Sequence, residues 1–102
     1  MIRHIVLINF RAEVSEQEIS QMFSALPALQ DLLPGMGAVT AGRSESPEQM
    51  ERGYMHGFVL DFDSWQSLQA YQDHPQHQAL GARLVAAAEG GKDGILVFDL
   101  EV

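Results

Sequence analysis

The chain has 102 residues, of which 46% are hydrophobic and 20% charged, and its formal net charge at pH 7 is −8. This size and composition predict one folded domain over residues 1–102 and exclude a disordered chain. The acidic balance repels nucleic-acid backbones and anionic lipid, so we expect neither nucleic acid nor a membrane as partner. The absence of cysteine excludes disulfides, thiolate nucleophiles and cysteine-based metal sites. The start of the chain lacks a signal-peptide pattern, and we expect a cytoplasmic location.

The first half of the chain predicts a strand, a helical region and a second strand. Residues 2–10 are rich in β-branched and aromatic side chains, as in a strand covered on both faces. Ser15 opens a helix with a capping-box pattern, and apolar residues then recur at helical spacing up to Leu33. Pro27 removes one backbone hydrogen bond, so we expect it to kink this helix or divide it. The glycine-rich segment 36–43 predicts a weak edge strand.

The second half repeats this pattern. A polar loop, with one helical turn after Pro47, leads to a strand over 54–62. Asp63 or Ser64 caps a helix that ends near His74, because a residue before proline avoids helical angles.

A last helix and a last strand complete the chain. Pro75 starts the helix with His74 as its cap, and the helix extends to about residue 88. A strand over 95–100 follows. The order βαββαβ predicts an α+β, ferredoxin-like sandwich with the first and third strands at the centre of the sheet.

One face of this sheet has nothing in the chain to cover it. We expect Ile5, Leu7, Met55 and Val59, or the alternate set, to lie there. An uncovered apolar face marks an interface, so the sequence predicts a homodimer that packs sheet to sheet.

The histidines are the main candidates for function. His4 and His56 belong to strands that we expect to be adjacent, so their imidazoles can share a face. His74 and His77 flank the start of the last helix, where the helix dipole favours a neutral imidazole that acts as a base. Tyr71, near the end of the preceding helix, offers a hydroxyl to a ligand.

Structural roles stay open beside these functional ones. A strand histidine is often a hydrogen-bonded core residue, His74 suits a helix cap, and Tyr71 can simply pack. The aspartates, Asp99 among them, lie near the ends of elements, where capping or solvation explains them. The spacing of His74 and His77 does not place two ligands on one helical face, and we predict no metal and no cofactor.

Several segments together resemble the stress-responsive dimeric A/B barrel (Dabb) family. They occur in the family's order and span nearly the whole chain: RHIVLINF at 3–10, GYMHGF at 53–58, AYQDHPQH at 70–77 and LVFD at 96–99. The resemblance implies a ferredoxin-like fold whose two sheets pair into a dimeric α+β barrel. It also implies an apolar cleft for a small molecule, in a family where many members have no established activity.

The resemblance gives the candidate residues their roles. In a plant cyclase of the family, which closes a polyketide without a cofactor, the active-site histidine and tyrosine match His77 and Tyr71. Its cleft histidines match His4 and His56, whereas Phe23 stands near a position where it has a cleft tyrosine. His77 and Tyr71 are thus the catalytic candidates, and the ligand-binding candidates are His4, His56, His74 and Phe23.

Three functions follow from this resemblance. The first is a stress or binding protein that holds a small apolar carbonyl compound. The alternative is a cofactor-independent cyclase or lyase that acts on a polyketide-like carbonyl substrate with His77 as general base. Haem or metal binding is a third hypothesis beside the prediction of no metal and no cofactor, because three imidazoles can hold zinc or iron and the wider superfamily includes haem-degrading enzymes.

Overall fold

The computed structural model describes all residues from Met1 to Val102 and contains one four-stranded antiparallel sheet. The strand order is β2-β3-β1-β4, so β1 and β3 are central, as the sequence predicts. The strands are β1 (Ile2–Ile8), β2 (Met36–Arg43), β3 (His56–Phe62) and β4 (Ile95–Glu101). The helices are α1 (Glu16–Phe23), α2 (Ala25–Leu32), α3 (Trp65–Asp73) and α4 (Pro75–Ala87). The ferredoxin-like α+β fold is confirmed, and none of these helices is long and apolar enough to cross a bilayer.

The helical region after β1 is divided in two, as the proline predicts. Ser15 caps α1, since its hydroxyl accepts from the Glu18 amide at 3.1 Å and the Glu18 carboxylate accepts from the Ser15 amide at 3.2 Å. Pro27 has no amide to bond the carbonyl of Phe23 four residues earlier, and its ring would clash with that carbonyl. The helix therefore breaks at Ser24, which places Pro27 in the first turn of α2.

The two helices after β3 start at the predicted caps. The Ser64 hydroxyl accepts from the Ser67 amide at 3.1 Å at the start of α3. α4 begins at Pro75, and Nδ1 of His74 accepts from the Gln76 amide at 3.1 Å. The extended backbone at His74 turns the chain sharply, so the end of α3 lies beside the first turn of α4.

Two strand boundaries and one helical turn differ from the sequence prediction by more than one residue. β1 ends at Ile8, two residues early, because the backbone of Asn9 bonds to Gly94 and Glu89 and leaves the ladder. β3 begins at His56 rather than at residue 54. The segment after Pro47 forms a turn without a helix.

The hydrophobic core lies between the helices and one face of the sheet. Alternate residues of β1 and β3 are buried on this face, and α1 to α4 cover it with their apolar sides. The two buried polar side chains of the chain, His4 and His56, also lie on this face. The core face thus carries two of the four histidines of the chain.

The opposite face of the sheet is uncovered and largely apolar. Of the two sets that the sequence leaves open, the one with Ile5, Leu7 and Val59 lies on it, and Met55 precedes β3. The antiparallel register places Phe98 beside Ile5 and Leu96 beside Leu7. Phe98 is 59% exposed and Leu96 is 49% exposed. We call this surface the open face and define it by its apolar side chains, which are Ile5, Leu7, Val59, Leu96, Phe98 and Leu100.

Candidate functional site

A cavity of about 190 Å³ lies between α4 and the helix-facing side of the sheet. Most of its walls are apolar, and Val97 of the edge strand β4 lines it while remaining 57% exposed. The cavity therefore opens beside this edge strand. Its lining residues are His4, Val6, Phe58, Tyr71, Gln72, His77, Leu80, Gly81, Leu84, Val85, Ile95 and Val97.

Three of the polar side chains singled out in the sequence meet in this cavity. His4 comes from β1, Tyr71 from α3 and His77 from α4. The Tyr71 ring contacts both imidazoles, with its centre 5.7 Å from that of His4 and 4.2 Å from that of His77. The fold thus brings His4 together with Tyr71 and His77, which are remote from it in the chain.

His77 has the geometry of a neutral base. Its Nδ1 lies 3.1 Å from the backbone carbonyl oxygen of Gln72. A carbonyl only accepts hydrogen bonds, so Nδ1 carries the proton and Nε2 keeps its lone pair. Burial lowers the pKa of His77, and the bond to Gln72 opposes that shift. The imidazole is therefore neutral at pH 7 and can accept a proton at Nε2.

Tyr71 supplies a hydrogen-bond donor. Its side chain is 1% exposed, and this burial raises the pKa of its hydroxyl above the ordinary value of 10.0. The hydroxyl is consequently protonated across the physiological range. It makes no hydrogen bond within the chain and is not fully buried, and Tyr71 is one of the residues that line the cavity. The O–H group is thus available to a bound carbonyl oxygen.

His4 is held by a carboxylate that the sequence analysis assigned to capping or solvation. Nδ1 of His4 lies 2.6 Å from Oδ1 of Asp99, because the register of β1 and β4 places these residues opposite each other. The carboxylate accepts from Nδ1–H, which leaves Nε2 of His4 as the free nitrogen. Strand register is the information that would have identified Asp99. Ile95, Val97 and Asp99 occupy every second position of β4 and so share its helix-facing side.

His56 lies on the same face as His4 but at the other end of the strands. The register separates them by four residues, or about 13 Å. Nε2 of His56 is 2.9 Å from the nearer oxygen of Glu16 on α1, and this hydrogen bond lowers the pKa of Glu16. His56 thus joins β3 to α1 and does not line the cavity.

Phe23 and His74 are also outside the cavity. Phe23 packs in the core, with its ring centre 5.7 Å from that of Phe58. His74 caps α4 and its ring faces the Gln76 amide. Within the chain, no three His, Asp or Glu side chains have an arrangement that could hold a metal ion.

Comparison with known proteins agrees with this architecture. The chain is 29% identical over 98 residues to the stress-response A/B barrel protein HS1 of Arabidopsis thaliana, covering 96% of this chain and 86% of HS1. It is 28% identical over 80 residues to olivetolic acid cyclase of Cannabis sativa, covering 78% and 79% of the two chains. A dimeric ferredoxin-like protein of unknown function from Jannaschia sp. CCS1 superposes with a TM-score of 0.92 at 37% identity, over 99% of this chain and 98% of that one. Residues 2–102 match the stress-responsive A/B barrel domain, and the chain belongs to that family.

Proposed function

We propose that this protein binds a small, uncharged carbonyl compound in the cavity beside α4. The observation that carries the proposal is the convergence of His4, Tyr71 and His77 on an otherwise apolar wall. Small-molecule sites have this composition, with a few polar groups that orient the ligand in an apolar pocket. The volume of about 190 Å³ slightly exceeds that of an engineered cavity of about 150 Å³ that holds benzene. A one-ring compound therefore suits it.

The charges around the cavity favour a neutral ligand. No Arg or Lys lines it, and the Asp99 carboxylate lies directly behind His4. A ligand carboxylate would find no permanent cation and would add to a net charge of −8. A ketone or aldehyde oxygen, in contrast, accepts a hydrogen bond from Tyr71.

The proposal includes a homodimer formed through the open face, in the cytoplasm. The exposed apolar side chains of β1 and β4 support this interface, because soluble proteins rarely leave such a strip uncovered. The similar Jannaschia protein is described as dimeric, which supports the same arrangement. Fractionation of cells that produce the tagged protein tests the location.

A pair of probes of matched size tests the ligand class. We expect acetophenone to shift the amide resonances of residues around Tyr71 and His77 in ¹H–¹⁵N spectra, and benzoate to leave them unchanged. Tyr71→Phe keeps the ring and removes the donor, so we expect acetophenone to bind about tenfold more weakly. Equal binding of benzoate, or acetophenone shifts confined to another surface, contradicts the proposal.

The neutral state of His77 favours a second function, which is proton transfer on the bound carbonyl compound. Nε2 of His77 takes a proton from the carbon next to the carbonyl group, and the C–H electron pair moves to form an enolate. The Tyr71 hydroxyl stabilises the developing negative charge on the oxygen. Similarity to olivetolic acid cyclase supports such chemistry, and a cyclase or lyase acting on a polyketide-like substrate is the corresponding enzyme.

Exchange of hydrogen for deuterium tests this step without knowledge of the natural substrate. In D₂O, we expect the wild-type protein to accelerate deuteration of the acetophenone methyl group and His77→Ala to lose about 100-fold or more of that rate. His74→Asn is the matched control, because it removes an imidazole outside the cavity and keeps a good helix cap. Equal rates for His77→Ala and the wild type remove His77 from the reaction.

A further inference from the structure

We infer that Gly81 determines the size of the ligand that the cavity accepts, an inference that rests on the proposed function of this cavity. Gly81 lies in the middle of α4 and lines the cavity. Glycine inside a helix destabilises it by comparison with alanine, because the chain loses more conformational freedom when it folds. A glycine at this position therefore needs a reason.

Neither backbone conformation nor packing supplies that reason. Gly81 does not have the positive φ that favours glycine at other positions of this chain. A Cβ atom built on Gly81 would meet no heavy atom within 4 Å. An alanine would thus fit without strain. Because glycine has no side chain, the space next to its Cα atom stays open.

The helix geometry places this open space in the cavity. Residues three or four positions apart lie on the same side of a helix. His77, Leu84 and Val85 stand at these distances from Gly81, and all of them line the cavity. A side chain at position 81 would consequently project among these residues and occupy the volume next to the His77 imidazole.

Two variants of different size test the inference. We expect Gly81→Ala to raise Tm by about 4 to 8 °C, because alanine favours the helix and meets no clash. We expect Gly81→Leu to weaken acetophenone binding at least about tenfold while cyclopentanone, a smaller ketone, loses much less. The measured quantity is the ratio of the two Kd values, which general damage to the fold would not shift in this direction.

A matched control separates cavity filling from a change elsewhere on the helix. Ala82 is exposed and does not line the cavity, so Ala82→Leu should leave both Kd values as in the wild type. If Gly81→Leu binds acetophenone as tightly as the wild type, or if Gly81→Ala lowers Tm, the role of Gly81 is contradicted. If the wild type itself binds neither ketone, the proposed function fails, which is a distinct result.

Discussion

His77 links the site to the pH dependence of stability. Its pKa is lowered in the folded protein, so below the ordinary value of 6.5 the unfolded chain binds more protons than the folded chain. The free energy of unfolding should therefore fall as pH decreases from 7 through 6.5 toward the folded-state pKa. Urea unfolding at pH 7 and pH 5 should show a smaller fall for His77→Gln than for the wild type.

Three carboxyl groups with lowered pKa values contribute little to the change in stability in this pH range. Glu16, Glu51 and Asp63 also have lowered pKa values, but their ordinary values are 4.5, 4.5 and 3.8. Most of their contribution to stability is lost as pH falls below those values, and His77→Gln leaves that loss unchanged. The same fall in stability for His77→Gln and the wild type between pH 7 and pH 5 would show that His77 is not shifted.

Asp99 should stabilise the fold through His4. His4 is 4% exposed, so its Nδ1–H group needs an acceptor, and a charged acceptor forms the stronger hydrogen bond. We expect Asp99→Asn, which keeps the shape and removes the charge, to lower the free energy of unfolding by about 1 to 2 kcal/mol. Asp73 is exposed and serves as the control. Asp73→Asn should change the free energy of unfolding by less than about 0.5 kcal/mol. Equal effects of both changes would contradict a specific role for Asp99.

The individual residues of the cavity were only partly predictable. Residue type and the family resemblance single out His4, Tyr71 and His77, which the fold brings together. They single out His56 equally. The distance between His56 and His4 depends on the register in which β1 and β3 pair, and the resemblance does not give that register. Asp99 was missed for the same reason, since its partner His4 lies on the neighbouring strand β1. Nothing in the local sequence distinguishes Asp99 from a solvated aspartate.

The start of α1 depends on its capping box. Ser15 and Glu18 satisfy each other's backbone amides, and the first turn has no other cap. Ser15→Ala should therefore lower the free energy of unfolding by about 1 kcal/mol. Ser20→Ala, in the same helix and also exposed, should be neutral or slightly stabilising in the same thermal or urea unfolding experiment. A loss no greater for Ser15→Ala than for Ser20→Ala would contradict the capping role.

Elements with strong local signals were predictable from the sequence. Capping residues, prolines and apolar periodicity fix α3 and α4 to within a residue or two, because these signals act within one helical turn. The residue at which β1 ends was harder to predict from the sequence. It depends on backbone bonds from Asn9 to Gly94 and Glu89, which are remote in sequence.

For the whole molecule, the account predicts that the open face holds two copies together. Phe98 is the most exposed side chain of this face and lies beside Ile5 of the central strand β1. Phe98→Arg places a charge there, so we expect a monomer in size-exclusion chromatography with light scattering. Leu32→Arg is the control, because Leu32 is similarly exposed at 49% but belongs to α2 on the other side of the sheet. A dimer that survives Phe98→Arg contradicts pairing through the open face.

Strand β4 connects the open face to the cavity. Leu96 and Phe98 point to the open face, whereas the alternate residues Val97 and Asp99 point to the cavity side. β4 is also an edge strand with one neighbour, so its order depends on what covers it. We therefore expect the monomeric Phe98→Arg variant to bind acetophenone more weakly than Leu32→Arg in the same titration, and equal binding would show that the two surfaces are independent.

The most direct test of the account is to locate a bound probe by nuclear Overhauser effects between acetophenone and the isotope-labelled wild-type protein. The account predicts contacts from the acetophenone protons to the methyl groups of Leu84, Val85 and Val97 and to the rings of Tyr71 and His77. Contacts with another surface, or no contacts at a ligand concentration that saturates binding, would contradict the claim that this cavity is the functional site.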